Sequence, residues 1–258
     1  MIEKLINILT FLLVAYLGFG LLLYLMQRHF LYFPTQAIQH HYRQLSFNTD
    51  GESIKVTVLN TGKERAIIYF GGNGETVDNN AAIFSATFTD HTVYLVNYRG
   101  YGGSTGQPGE QGFYSDALFV FDEIKPEYTD ISVIGRSLGS GVATFLASKR
   151  EVNKLILITP FDSIQNVAQA IYRIYPIAFM LKDKYESLGR VASIKAKTLV
   201  MIAEKDTIIK VKHSMRLVNA FPASQITWHI LSNENHNSIS YNEKYYTLLK
   251  QFLSNTSH

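Results

Sequence analysis

Ser137 stands in the stretch Val133-Ile134-Gly135-Arg136-Ser137-Leu138-Gly139-Ser140-Gly141-Val142-Ala143, where an apolar run gives way to a segment rich in small residues. Gly135-x-Ser137-x-Gly139 has the spacing of a nucleophile elbow, a sharp strand-to-helix turn that exposes a serine hydroxyl. Such a turn strains the serine backbone, and side chains two residues away on either side would collide across it, which accounts for the glycines. A helix beginning there also points its first N–H groups at any oxyanion near the hydroxyl. An isolated serine is a weak nucleophile, so the chemistry needs a base and a group that orients the base.

Residues of those types follow in the order acid, then histidine, each in a loop after a later apolar strand. Thr198–Ile202 runs into Ala203-Glu204-Lys205-Asp206, and the strand ending at Leu231 runs into Asn233-Glu234-Asn235-His236-Asn237. In that arrangement Asp206 fixes the imidazole tautomer, and His236 takes the proton from Ser137 and returns it to the leaving group. Asp162, just after the strand Lys154–Ile158, is the alternative acid. Glu204 is two residues from Asp206, so one of the two should point elsewhere. His229 lies within a strand and is expected to pack; His213 lies on a helix and is expected to be solvated. The loop Gly71-Gly72-Asn73-Gly74 follows the apolar run Ala66–Phe70 and lets a backbone approach closely. The N–H groups of Asn73 and Leu138 are the expected oxyanion donors. A phosphate site there is disfavoured, because no Lys-Ser/Thr follows the glycines.

Positioning these residues requires a sheet whose strand ends gather on one edge. Eight short segments read as strands: 42–48, 53–59, 66–70, 92–97, 131–134, 154–158, 198–202 and 225–231. The first two flank Asp50-Gly51, a hairpin signal. Helices are expected over 78–87, 110–125, 138–149, 211–220 and 239–253. Continuous apolar strands alternating with helices imply a mostly parallel sheet covered on both faces, with its ligands at the carboxyl ends of the strands. One irregular insertion, roughly 161–197, carries the apolar stretch Ile171-Tyr172-Arg173-Ile174-Tyr175-Pro176-Ile177-Ala178-Phe179-Met180-Leu181.

At 258 residues, with 47% apolar and 17% charged side chains, the chain suits one substantial α/β domain rather than a disordered or two-domain protein. A net charge of +3 with dispersed lysines gives no nucleic-acid footprint, and the absence of cysteine excludes disulfides and thiolate chemistry. From Leu5 to Met26 no side chain is charged, about the length a helix needs to cross a hydrocarbon core of roughly 30 Å. No small-x-small site follows in Gln27-Arg28-His29-Phe30-Leu31-Tyr32-Phe33, so a retained single-pass anchor is expected in preference to a cleaved signal. Lys4 stands on one side of it and Arg28 and Arg43 on the other, so charge bias sets no orientation.

Taken together, "AIIYFGGNGE", "NYRGYGGSTGQPGEQGFYSDA", "VIGRSLGSGVA", "TPFDSI", "LVMIAEKDTIIKVKHSMRL" and "ENHNSI" resemble, in order, the segments of α/β-hydrolase serine hydrolases. The chain is most similar to a small branch with one N-terminal anchor that includes protein depalmitoylases and lysophospholipid or monoacylglycerol lipases. The resemblance implies an α/β-hydrolase fold, an eight-stranded, mostly parallel sheet with helices on both faces, preceded by one transmembrane helix. It implies an anchor over 1–30 and a catalytic domain over 31–258, with 161–197 as a cap-like insertion. It makes Ser137 the nucleophile, Asp206 the acid, His236 the base and Asn73 and Leu138 the oxyanion donors; Arg99-Gly100-Tyr101-Gly102 matches a turn that shapes the site. The implied activity is hydrolysis of carboxylic esters or thioesters through an acyl-enzyme, on a small-molecule, lipid or acylated-protein substrate at a bilayer, with no cofactor and no metal. One position departs from the pattern: the family commonly has His-Gly-Asn in the oxyanion loop, and Gly71 stands here in place of the histidine. That departure implies a looser loop and is the one argument for a non-catalytic binding or scaffold protein on the same fold.

Overall fold

The computed structural model describes residues 1–254. Their strands form one eight-stranded sheet in the order β1-β2-β4-β3-β5-β6-β7-β8. β1 (Arg43–Thr49), β2 (Glu52–Leu59) and β4 (His91–Val96) pair antiparallel; β3 (Arg65–Phe70), β5 (Asp130–Arg136), β6 (Lys154–Ile158), β7 (Lys197–Ala203) and β8 (Ile226–Leu231) run parallel to one another and to β4. The first hairpin turns at Asp50 (φ 52°) and Gly51 (φ 77°), the two left-handed residues that a tight hairpin needs.

The central strands are apolar throughout because each alternate side chain enters a different core. Ala66, Ile68 and Phe70 of β3 face one layer with α3 (Glu110–Ile124) and α4 (Leu138–Lys149). Ile67 and Tyr69 face the other, with α2 (Ala81–Thr87) and α8 (Tyr245–Ser254). α7 (Val211–Ala220) adds Leu217 and Val218 to the first layer. Two helices begin later than the sequence suggests. Val77–Asn80 and Ile239–Tyr241 are single 3₁₀ turns that lead into α2 and α8.

The insertion between β6 and β7 is more ordered than its sequence suggests. It contains α5 (Ile164–Ile171), capped by the Ser163 hydroxyl on the Asn166 N–H, and the single turn α6 (Ile177–Met180). Against these lies α1 (Ile2–Leu31), a 30-residue helix long and apolar enough to cross a membrane by length and composition.

The first residue of β4 carries a pH prediction. His91 is buried beside its register partner Arg65, and burial first, then that guanidinium, push its imidazole down to about 4. The folded chain therefore binds no proton there between about pH 6.5 and 4, whereas the unfolded chain does. The stability this neutral histidine contributes is complete above about 6.5 and is lost as pH falls toward about 4. His91→Gln should flatten the decline of melting temperature across that window; an unchanged decline would show that other groups set it.

Candidate active site

The carboxyl ends of β3, β5, β7 and β8 converge at one edge, and β3 and β5 are the neighbours between which the strand order reverses. Ser137 follows β5 at φ 49° and ψ −115°, a left-handed conformation for a residue with a side chain. Its N–H is held by the Ile158 carbonyl at 2.8 Å, and its carbonyl accepts from the Ser140 N–H and hydroxyl at 2.9 and 2.6 Å. The flanking glycines are sterically required. A Cβ on Gly135 would lie 2.4 Å from the Gly139 carbonyl oxygen, and one on Gly139 would lie 2.1 Å from that of Phe70. Because those obstacles are backbone, Gly139→Ala should cost about 3 kcal/mol or more in a urea melt. A loss below about 1 kcal/mol would mean that the turn relaxes easily.

His236 lies 2.8 Å from the Ser137 hydroxyl through Nε2 and 2.7 Å from Asp206 Oδ2 through Nδ1. With the proton on Nδ1 donated to Asp206, Nε2 is the acceptor for the serine O–H. Asp206 is fixed in turn by the Ile208 and Ile209 N–H groups, both on Oδ1 at 2.9 and 2.8 Å. Glu204 points away and accepts from the Asn233 N–H at 2.8 Å. The His236 loop is held by Asn235, whose Oδ1 accepts from Asn237 and Ser238.

The alternative acid is elsewhere. Asp162 is fully buried and contacts His213 Nδ1 at 2.9 Å, with further bonds from the Ser163 N–H, Asn166 and Arg216. His213 is therefore buried against Asp162 rather than solvated, because residues 213, 214, 217 and 218 form the inward stripe of α7. His229 is half-buried on the edge strand β8.

Asn73, Ser137 and Leu138 line one end of a cavity of about 320 Å³. Among the described residues, neither the Asn73 nor the Leu138 N–H has a hydrogen-bond partner. A side chain at position 71 would require Val77 to shift, since a Cβ there would lie 2.4 Å from Val77 Cγ1. The loop is braced by other groups instead. Glu75 accepts from the Gly72 N–H at 2.6 Å and from the Tyr69 phenol and Asn80 amide at 2.7 Å. Tyr98 donates to the Gly71 carbonyl at 2.8 Å, and Tyr101 donates to Asn73 Oδ1 at 2.9 Å. Burial holds the Tyr69 and Tyr98 phenols well above their ordinary pKa, with the Glu75 charge adding to it, so both remain donors. Arg136 joins the two loops: its guanidinium is 3.6 Å from Glu75 and 3.4 Å from the carbonyls of His236 and Asn237. Glu75 and Arg136 were not expected from the sequence.

The rest of the cavity is mostly apolar. The insertion supplies Val167, Ala168 and Ile171 of α5 with Met180 of α6, and α1 supplies Leu23, Tyr24 and Phe30. Most of the insertion's apolar stripe therefore lines a cleft rather than packing on the sheet.

No family model matches the chain. It is 32% identical over 222 residues to the lysophosphatidylserine lipase ABHD12 of Xenopus tropicalis, covering 74% of this chain and 58% of that protein. It is 38% identical over 133 residues to an uncharacterized protein of Mycobacterium tuberculosis, covering 50% of this chain and 47% of that one. The chain thus spans about half the length of the curated relatives it matches. Among solved structures, an esterase of Pyrococcus furiosus superposes with a TM-score of 0.70 at 17% identity, covering 85% of this chain and 95% of that one. A predicted hydrolase of Thermoplasma acidophilum gives 0.63 at 19% identity, covering 83% and 98%.

Proposed function

We propose that this chain, which belongs to the α/β-hydrolase superfamily, is a membrane-anchored serine hydrolase of carboxylic esters or thioesters that carry an acyl chain. The observation that carries the reading is the unbroken relay from Ser137 Oγ through His236 to Asp206, at 2.8 and 2.7 Å, opening on an apolar cavity. Ser137 Oγ bonds to the acyl carbonyl carbon as its proton passes to His236 Nε2. The Asn73 and Leu138 N–H groups hold the resulting oxyanion. His236 then returns the proton to the departing alcohol or thiol, leaving an acyl-serine. A water molecule, deprotonated by His236, attacks that ester and releases the carboxylic acid and Ser137.

The organisation we propose has residues 1–30 as a single-pass anchor and 31–258 as the catalytic domain, with 161–197 as its cap. The apolar lining and the lipase among the relatives support a lipid-like acyl substrate over a polar one. Gly71 no longer argues for a scaffold, because Glu75, Tyr98 and Tyr101 brace the loop that a histidine would otherwise steady. The test is hydrolysis of p-nitrophenyl esters by the full chain in detergent, beside Ser137→Ala. We expect turnover in the first and none above background in the second. Folded protein that turns over no ester or thioester would refute the reading.

A further inference from the structure

α1 does more than hold the chain at a bilayer. Its 30 residues span about 45 Å, whereas the hydrocarbon core requires about 20 residues, so about ten extend beyond it. Leu23, Tyr24, Gln27, Phe30 and Leu31, near the C-terminal end of the helix, form one wall of the cavity that Ser137 also lines. α5 and α6 form the opposite wall.

The C-terminal half of the helix is fastened to this cap. Tyr16 and Tyr175 stack at 4.6 Å with planes 2° apart, and their hydroxyls bond crosswise to the Ile174 and Tyr16 carbonyls, both at 2.9 Å. Gly20 leaves room for the Tyr175 ring, which would stand 2.9 Å from a Cβ there. Gln27 bonds the Met180 carbonyl and the Lys182 N–H at 3.1 and 2.7 Å, and Arg28 grips both oxygens of buried Asp183. The helix therefore meets the cap at fixed positions from Tyr16 to Arg28. The Tyr16 bond sets Ile174, which is 72% exposed, beside the part of α1 that would lie within the membrane, and Phe179 of α6, 90% exposed, is on the same cap segment. Ile171 and Phe30 line the cavity yet stay 66% and 47% exposed, so it opens sideways along α1.

We infer that the slot between α1 and the cap is a lateral portal through which one acyl chain passes from the adjoining lipid leaflet to Ser137, with Leu23 and Tyr24 as the wall that selects for that chain. The inference rests on the hydrolase reading above and adds to it the route and the selecting residues. The occupant is a single chain, since about 320 Å³ lies at the low end of small-molecule sites, about 300–1,000 Å³. The source is the bilayer, because the mouth is framed by a helix of spanning length and by exposed apolar side chains on the cap tip.

The test uses the full chain in phosphatidylcholine vesicles. Leu23 is half-buried, and Leu23→Trp places a larger side chain on the wall. It should lower the ratio of kcat/KM for a dodecanoyl ester over an acetyl ester by about tenfold, because the far end of the long chain loses its burial. Phe179→Asp alters the cap tip outside the cavity, at a site exposed enough to leave folding intact. It should cut turnover of oleoyl monoacylglycerol embedded in vesicles several-fold, with turnover of a dissolved butyrate ester at the wild-type value. An unchanged chain-length ratio in the first variant, or unchanged vesicle turnover in the second, overturns the portal while leaving the hydrolase reading in place. Wild-type protein that turns over no ester at all fails the hydrolase reading, and the portal with it.

Discussion

His236→Ala should lower kcat for a p-nitrophenyl ester by about 10⁴- to 10⁶-fold, with the melting temperature changed by only a few degrees. The expected size follows from geometry. The imidazole makes both bonds of the relay, to Ser137 at 2.8 Å and to Asp206 at 2.7 Å, so its loss removes the proposed base and leaves the proposed acid without its partner. The effect should fall mainly on kcat, because no bond from His236 to a bound acyl chain is needed before the reaction begins. The loop's other supports, Asn235 and Arg136, act through backbone groups and survive the change. Steady-state rates and a thermal melt on the same preparation separate the two readouts. A variant that melts normally and keeps more than a tenth of wild-type kcat would mean that another base serves Ser137.

Asp206→Asn carries the second-largest expected effect, about 10⁴-fold on kcat, and Asp162→Asn is its natural control. Asparagine at 206 can still accept from the Ile208 and Ile209 N–H groups through its oxygen. Its amide then faces His236 Nδ1 as a donor and favours the tautomer that carries the proton on Nε2, which cannot deprotonate the serine. Asp162 differs in kind. It is fully buried between His213, Arg216, Asn166 and the Ser163 N–H, and it reaches no member of the Ser137 relay. Removing its charge should lower stability by about 3 kcal/mol or more, because buried partners are left uncompensated, while activity per folded molecule stays near wild type. Urea melts with rates normalised to the folded fraction discriminate the two. Equal loss of folded-state activity in both variants would show that Asp162 serves the reaction as well.

The strands are legible in the sequence for a physical reason. A parallel strand covered on both faces must be apolar at every position, and runs such as Ile67-Ile68-Tyr69-Phe70 announce it. The elbow is legible because Gly135 and Gly139, one on each side of Ser137, answer to backbone collisions at 2.4 and 2.1 Å, and few other constraints leave that spacing. The positions of Asp206 and His236 follow from strand ends, the one place in such a sheet where loops meet.

The remaining parts depend on contacts that no local pattern records. Glu75 braces the 71–74 loop by folding back onto the Gly72 N–H, and Arg136 links Glu75 to the His236 loop across 100 positions of sequence. His213 has polar neighbours in the chain, yet the spacing of Ser214, Leu217 and Val218 places it on the inward stripe of α7; that signal was available. A similar signal lies in α1. Tyr16, Gly20, Leu23 and Gln27 recur at helical spacing within an otherwise uniform apolar run, and they mark the face that meets the insertion.

The proposed reaction requires Ser137 to be a nucleophile activated by His236. The most direct measurement is peptide mass spectrometry of the full chain after brief exposure to a fluorophosphonate. A single stoichiometric adduct on Ser137 is expected, formed quickly in the wild type, about 10³-fold or more slowly in His236→Ala, and absent in Ser137→Ala. Folded protein that acquires no adduct, or carries it on another residue, would contradict it.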